Sequence, residues 1–176
     1  MSESTQGERT AYRISVVCTG NICRSPMGEW LLREAFEDAG LDVEVASAGT
    51  SAEETGNPMD SRTVAVMRRN GHLDLGWDGH RAQRFTAEHF ADLDLVLAAD
   101  SGHKRTLLRL APTEEDRAKV RLVRSFDPES AASDDLDMDD PWWGDDASFD
   151  QTYAEVRAAV PGIVEMIRER QGRALV

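Results

Sequence analysis

Short apolar runs alternate along the chain with segments whose apolar residues recur at helical spacing. Runs of strand length occupy residues 13–17, 43–47, 94–98 and 120–123, and they predict four strands. Helical spacing predicts helices over residues 26–39, 60–70, 86–92, 101–110 and 148–170. Strand–helix alternation is typical of a parallel sheet with helices on both faces. We therefore predict a single-domain α/β fold with a four-stranded parallel sheet.

The two ends of the chain are predicted to lie outside this domain. The first ten residues are almost entirely polar, which is typical of a loose terminus. We place a flexible N-terminal tail at residues 1–11, the domain at 12–171 and a C-terminal tail at 172–176. No internal repeat or linker divides the chain, and 176 residues fit one domain.

Residues 18–24, CTGNICR, separate the first predicted strand from the first predicted helix. Gly20 and Asn21 tolerate the left-handed backbone of a tight turn, Ser25 can cap the helix, and Pro26 suits its first position. Ligands of parallel sheets bind beyond the carboxyl ends of the strands. Because backbone N–H groups at a helix N-terminus favour anions, we predict a phosphate-binding loop after the first strand.

Cys18 and Arg24 supply the groups that phosphate transfer needs in this loop. A guanidinium can bind two phosphate oxygens at once, and the same positive potential favours the thiolate form of Cys18. Attack of this thiolate on phosphorus forms a phosphocysteine. A cysteine followed six residues later by an arginine is a weak signal by itself, and a buried structural thiol is the alternative. The flanking strand and helix favour the catalytic interpretation.

The other loop residues are expected to support this chemistry. Gly20 lets the backbone approach phosphate closely, and Asn21 holds the loop through side-chain hydrogen bonds to the backbone. The Ser25 hydroxyl can hydrogen-bond the Cys18 sulfur in addition to capping the helix. The predicted phosphate-binding residues are Thr19, Gly20, Asn21, Ile22, Cys23, Arg24 and Ser25.

A net charge of −13 restricts the classes of partner. A nucleic-acid-binding protein needs a basic face, so we expect no nucleic-acid partner, and local donors must hold any bound anion. No run approaches the roughly 20 apolar residues of a membrane span, and the N-terminus lacks the pattern of a secretory signal. We expect a cytoplasmic protein without a membrane partner, and signal-independent export stays open.

Neither the cysteines nor the histidines indicate a metal site. Cys18 and Cys23 form neither a disulfide framework nor a zinc-binding spacing. The four histidines are scattered along the chain without a carboxylate spacing, and we expect His72, His89 and His103 at the surface. No metal and no organic cofactor is therefore expected.

The segment VCTGNICRSPMGE resembles the signature of the low-molecular-weight protein-tyrosine phosphatases. Further matches follow in the family's order and approximate spacing, namely SAGT at 47–50, GNPMDSR at 56–62, HRAQ at 80–83, DLVLAAD at 94–100, SFDP at 125–128 and DDPWWGD at 139–145. The resemblance covers roughly residues 13–170 and is strongest to actinobacterial members. It implies a metal-independent phosphatase that hydrolyses phosphotyrosine through a phosphocysteine.

The resemblance also implies a general acid, Asp140, in the sequence Asp140–Pro141–Trp142–Trp143. A carboxyl group beside the phosphate can protonate the leaving oxygen and later accept a proton from water. Asp139 is the adjacent competitor, but the register with Pro141 favours Asp140. Trp142 and Trp143 are expected as pocket walls for a flat ring, where the family usually has tyrosine or phenylalanine. For one of the two, a hydrophobic plug under the loop is the alternative.

Four more residues take expected roles from the resemblance. Glu53 falls on the opposite pocket wall, where an acidic group would disfavour acidic peptide flanks. Ser47 and His80 match positions that support the phosphate loop from beneath. Cys23 can form a disulfide with Cys18 that protects the nucleophile from irreversible oxidation.

Other functions on the same fold make different demands on the sequence. Thioredoxin-coupled arsenate reductases need further downstream cysteines, and this chain has none after Cys23. Protein-arginine phosphatases share C-T-G-N but carry threonine at the position of Ile22, so the apolar Ile22 favours phosphotyrosine and phosphoarginine stays the alternative. A non-catalytic phosphotyrosine-binding module would need a defect in Cys18, Arg24 or Asp140. Phosphoserine, with its short side chain, is expected to be a poor substrate.

The expected partners follow from this activity. They are phosphotyrosine-containing proteins and the tyrosine kinase that produces them.

Overall fold

Four parallel strands form the centre of the computed structural model, which describes residues 11–174. The strands are β1 (Tyr12–Cys18), β2 (Val43–Gly49), β3 (Leu95–Ala98) and β4 (Val120–Leu122), in the order β2-β1-β3-β4. Each predicted strand is found within two residues of its expected bounds. The predicted α/β fold with a four-stranded parallel sheet is confirmed.

Six α-helices are found in the described part of the chain. They are α1 (Arg24–Ala39), α2 (Ser61–Arg69), α3 (Ser101–Leu110), α4 (Glu114–Ala118), α5 (Pro128–Ser133) and α6 (Asp146–Ala174). Short 3₁₀ helices cover Trp77–Gly79, Ala87–Asp92, Val123–Phe126 and Pro141–Trp143. The short helix expected over 86–92 is therefore a 3₁₀ helix. None of the helices within residues 11–174 is long and apolar enough to cross a membrane.

Alternate residues of the central strands face two separate apolar layers, because successive side chains of a strand point to opposite faces. Val16 and Leu97 pack with α1 and α6 residues such as Phe36 and Ile163 on one face. On the opposite face, Val17, Val96 and Ala98 of the strands form a second cluster. They pack with Phe85, with Phe90 of the 3₁₀ segment Ala87–Asp92 and with Leu107 of α3. Helical segments on both faces leave the strand ends as the open edge of the sheet.

The first helix begins earlier than the sequence predicts. Arg24 is its first residue and Cys23 is the capping position, without a side-chain capping bond. Ser25 is therefore not the N-cap: it lies buried in the first turn, where its hydroxyl contacts the Cys18 sulfur. At the other end, Gly40 adopts φ 66° and its N–H bonds the last carbonyls of α1, as the sequence predicts.

The last helix, α6, runs to Ala174, past the predicted end of the domain at residue 171. The predicted tail at 172–176 thus begins inside this helix. Residues 1–10, which hold most of the predicted N-terminal tail, and residues 175–176 at the end of the predicted C-terminal tail lie outside the described residues.

The strand order places two connections beside each other at the carboxyl edge of the sheet. β1 continues into α1 and on to β2 at one side, whereas β3 continues into α3 and on to β4 at the other. The loops that follow β1 and β3 therefore diverge from adjacent strands, which is where open α/β sheets bind ligands. Cys18 is the last residue of β1, and Asp100 lies in the loop that follows β3.

Candidate active site

The loop between β1 and α1 is held from within by Asn21. Its backbone has φ 60°, and its side chain is fully buried. Nδ2 donates to Ser25 Oγ and to Ser47 Oγ, both at 2.9 Å, while Oδ1 accepts from the Gln83 N–H at 3.0 Å. One side chain thus joins the loop, the helix after it, β2 and the segment around residue 83.

Beneath the loop, two polar side chains continue this network. His80 Nε2 lies 2.8 Å from the carbonyl oxygen of Asn21, and Ser47 Oγ donates to Glu29 Oε2. Glu29 is buried and also pairs with Arg33 at 2.7 Å. The sequence analysis missed Glu29, although its place four residues before Arg33 in a predicted helix indicates an ion pair.

A second residue that the sequence analysis missed is Gly49, at the end of β2. A Cβ atom there would lie 2.5 Å from the Thr19 carbonyl oxygen, a separation that side chains do not tolerate. Only glycine therefore lets β2 approach the start of the loop so closely. Its place in the SAGT segment was the available signal.

Cys18 lies at the bottom of the site, with 3% of its surface exposed. Its Sγ is 3.0 Å from Ser25 Oγ. Because that oxygen already accepts a hydrogen bond from Asn21, the proton of the Ser25 hydroxyl is free to point at the sulfur. A hydroxyl placed in this way can donate a hydrogen bond to the sulfur when the sulfur carries negative charge.

Arg24 faces Cys18 from the other end of the loop and is also buried. Nη1 donates to the Met138 carbonyl at 2.8 Å and to Asp100 Oδ2 at 3.1 Å, and Nη2 lies 3.5 Å from Asp140 Oδ2. Among residues 11–174, its Nε is a buried donor without a hydrogen-bond partner. The guanidinium thus keeps a donor available for an anion while its other groups are fixed.

Asp100 carries the negative charge that holds Arg24 in place. Burial by itself would raise the pKa of Asp100, yet contacts with His103 and the charge of Arg24 hold it well below its usual range. Asp100 therefore stays ionised, and the Arg24–Asp100 pair persists throughout the physiological pH range.

The loop forms the floor of a pocket of about 240 Å³. Its lining residues are Cys18, Thr19, Gly20, Ile22, Cys23, Arg24, Ser51, Glu53, Glu54, Asp140, Trp142 and Trp143. Asp140 Oδ1 accepts the Trp142 N–H at 3.1 Å, so the carboxylate is oriented and Oδ2 is the atom that faces Arg24. The pocket therefore brings a buried thiol, a guanidinium and a half-exposed carboxyl group together.

The sequence model of one protein family, described as low molecular weight phosphotyrosine protein phosphatase, matches residues 13–173. The chain belongs to this family. A low molecular weight protein-tyrosine-phosphatase of Streptomyces coelicolor is 49% identical over 93% of this chain and 98% of its own length. The low molecular weight protein-tyrosine phosphatase A of Mycobacterium tuberculosis is 39% identical over 91% of this chain and 94% of its own length. Among solved structures, Vibrio vulnificus Wzb in complex with benzylphosphonate has a TM-score of 0.74 at 29% identity, over 88% of this chain and 98% of that one.

The walls of the phosphatase pocket differ in character. Trp142 and Trp143 stand at the mouth, 45% and 80% exposed, with their rings edge to face at 4.6 Å. Neither is a hydrophobic plug under the loop, so that alternative is wrong. Glu53 also lines the pocket, and Glu54, which the sequence analysis missed, adds a second carboxylate to its lining.

Cys23 is the second cysteine of the pocket, and both cysteines are free. Burial raises the pKa of the Cys23 thiol far above its usual range, and the charges of Asp60 and Cys18 add to this effect. Cys23 is therefore a neutral thiol at physiological pH and does not compete with Cys18 as a nucleophile. Its disulfide with Cys18 stays a prediction.

One histidine expected at the surface is buried. His103 is only 6% exposed, and its Nε2 lies 2.8 Å from Thr19 Oγ1. The expectation failed because the partner hydroxyl is 84 residues away along the chain. His72 and His89 are partly exposed and bonded, His72 to Glu34 and Tyr153 and His89 to Thr86.

Proposed function

We propose that the protein hydrolyses phosphotyrosine in protein substrates through a phosphocysteine at Cys18. The observation that carries this proposal is the pocket in which Cys18, Arg24 and Asp140 meet. The Cys18 thiolate attacks phosphorus, and the bond from phosphorus to the tyrosine oxygen breaks. Asp140 gives its proton to that oxygen, so that tyrosine leaves as a neutral phenol.

The second step regenerates the enzyme. The Asp140 carboxylate takes a proton from a water molecule, whose oxygen attacks phosphorus and releases inorganic phosphate. The bond between sulfur and phosphorus breaks, and Cys18 leaves as a thiolate that accepts the Ser25 hydroxyl proton in a hydrogen bond. Arg24 binds the non-bridging oxygens in both steps, together with the loop N–H groups of Thr19–Ser25. Asn21, Ser47 and His80 keep the loop in this geometry.

The pocket above the thiol supports an aryl phosphate as the substrate. Ile22 lines it with an apolar surface, and the indoles of Trp142 and Trp143 border its mouth. An apolar wall favours a flat ring over a charged guanidino group, which it cannot hydrogen-bond. Benzylphosphonate, with which the related Vibrio vulnificus Wzb forms a complex, is a ligand of this kind. Phosphoarginine is the second candidate, because the residue at position 22 is the only feature of the sequence that distinguishes the two substrates.

Three peptides of one sequence that carry phosphotyrosine, phosphoarginine or phosphoserine test this proposal. We expect the highest kcat/KM for phosphotyrosine in the presence of a metal chelator. Ile22→Thr removes apolar contact with the ring and adds a hydroxyl, so it should shift the phosphotyrosine-to-phosphoarginine ratio about fivefold toward phosphoarginine. A wild-type preference for phosphoarginine would overturn the substrate assignment but keep the mechanism. Tight phosphotyrosine binding without turnover would favour a binding module, and equal rates on phosphoserine would contradict the expectation that its short side chain makes it a poor substrate.

Glu53 is proposed to select against acidic residues beside the phosphotyrosine. It is exposed at the pocket wall, beside Glu54, in a protein of net charge −13. Glu53→Gln should lower KM for an acidic-flanked peptide about twofold to threefold at low salt, and this gain should shrink as salt screens the charge. Glu37→Gln, an exposed glutamate on α1, is the matched control. Equal effects of both variants would show that net charge, not the wall, sets KM.

We also propose that the protein acts in the cytoplasm on proteins phosphorylated by a tyrosine kinase of the same cell. This follows from the proposed substrate, because a phosphatase and the kinase that it opposes act on the same proteins. Cell fractionation with phosphatase activity as the readout checks the location. Activity that sediments with membranes would contradict it.

A further inference from the structure

His103 connects the two ends of the phosphate-binding loop from a position outside the loop. It is buried in the first turn of α3, and its Nε2 lies 2.8 Å from the hydroxyl of Thr19, the residue after the nucleophile. Its Nδ1 lies 3.0 Å from Asp100 Oδ1. Among residues 11–174, Nδ1 is a buried atom without a well-aligned hydrogen bond, so this second contact is a close approach of the ring to the carboxylate.

Asp100 continues the connection to the other end of the loop. Oδ1 accepts the backbone N–H of His103 at 2.9 Å, which fixes the carboxylate on α3. Oδ2 accepts from Arg24 Nη1 at 3.1 Å. Thr19, His103, Asp100 and Arg24 therefore form one continuous chain of contacts that spans the loop.

We propose that His103 is a positioning residue of the phosphate site, which keeps Thr19 and Arg24 in register through Asp100. His103 does not touch the reacting atoms. It limits the motion of the Thr19 end of the loop, and it shares the Asp100 carboxylate with Arg24. Without the imidazole, Asp100 loses the contact with Nδ1 and keeps only the backbone N–H of residue 103 and Arg24 as partners, so the carboxylate and the guanidinium bound to it are held less firmly.

Loss of this chain of contacts should weaken oxyanion binding more than it weakens folding. Thr19 is exposed, so Thr19→Val removes one hydroxyl without opening a cavity. Because Thr19→Val removes the hydrogen bond between Thr19 and His103, we expect the dissociation constant of inorganic phosphate to rise about fivefold to tenfold. His103→Gln should produce a rise of similar size. The double variant should be no worse than the stronger single variant, because both changes break the same chain.

The test measures phosphate affinity by calorimetry, kcat and KM on a phosphotyrosine peptide, and the melting temperature. Thr19→Ser, which keeps the hydroxyl, should restore affinity to within twofold of wild type. Thr86→Val is the matched control, because Thr86 pairs with His89 at 3.0 Å in a turn outside the pocket. Wild-type phosphate affinity in Thr19→Val, additive effects in the double variant, or equal losses in Thr86→Val would overturn the proposal.

This inference rests on the proposed phosphatase function, but the two fail in different measurements. A wild-type protein without phosphotyrosine turnover would contradict the proposed function. Phosphate affinity still tests the role of His103 in that case. Should His103→Gln not fold, the exposed Thr19→Val decides the question by itself.

Discussion

Cys18→Ser is expected to lower phosphotyrosine turnover by roughly 10⁴-fold or more, because a serine hydroxyl is a far weaker nucleophile than a thiolate. The two side chains have nearly the same shape, so the fold and the affinity for phosphate should be retained. Steady-state phosphate release gives the rate, and circular dichroism with phosphate calorimetry checks the protein. Residual activity within a hundredfold of wild type would contradict a phosphocysteine at this position.

Cys23→Ser is the matched control for this experiment. Cys23 lines the same pocket, and burial raises the pKa of its thiol. Its replacement should leave turnover within about tenfold of wild type, because a neutral buried thiol does not act as a nucleophile. The reverse result, with activity lost in Cys23→Ser and kept in Cys18→Ser, would exchange the roles of the two cysteines.

Asp140→Asn should lower kcat for a phosphotyrosine peptide about 10²-fold to 10³-fold, since an amide cannot protonate the leaving oxygen. The loss should be smaller for p-nitrophenyl phosphate, whose leaving group departs more readily without a proton. The Trp142 N–H donates a hydrogen bond to Asp140 Oδ1. The side-chain amide oxygen of the asparagine variant can accept the same bond, so the loop geometry should be retained. A smaller loss of kcat on p-nitrophenyl phosphate than on the peptide would show that the variant lacks only the general acid. Equal losses on both substrates would show that the loop has changed its conformation.

Asp139→Asn is the control at the neighbouring carboxyl group. Asp139 is exposed and does not line the pocket, so its replacement should change kcat by less than about twofold. Equal losses in both variants would point to the summed charge of the acidic segment. A larger loss in Asp139→Asn would show that the register with Pro141 does not identify the acid.

Local pattern was sufficient for the fold and for the phosphate loop. The four strands follow from apolar runs, and Gly40 marks the end of α1, since both signals depend on neighbouring residues only. Cys18 and Arg24 are brought together by one short loop, so their proximity was also a local property. The carboxyl side of the pocket was different: Arg24 and Met138 are 114 residues apart along the chain, and only the family resemblance connected Asp140 to the loop.

The errors concern polar residues that are buried at the site by hydrogen bonds to other side chains. Ser25 fits a capping position by its type, but its hydroxyl is used by Cys18 and Asn21 instead. His103 was expected at the surface because its contact with Thr19, 84 residues away along the chain, follows from the packing of α3 against the loop. Sequence spacing contains no information on such packing, since it depends on the order of the strands.

The exposed indoles at the pocket mouth also give the protein an intrinsic optical signal. Of the four tryptophans, Trp142 and Trp143 line the pocket, whereas Trp77 is buried in the core. Fluorescence from an indole depends on the polarity around it, so a bound aromatic ring would shift and quench the emission of the pocket pair. The emission of Trp77 would stay constant, and ligand association can therefore be followed in real time without an attached dye.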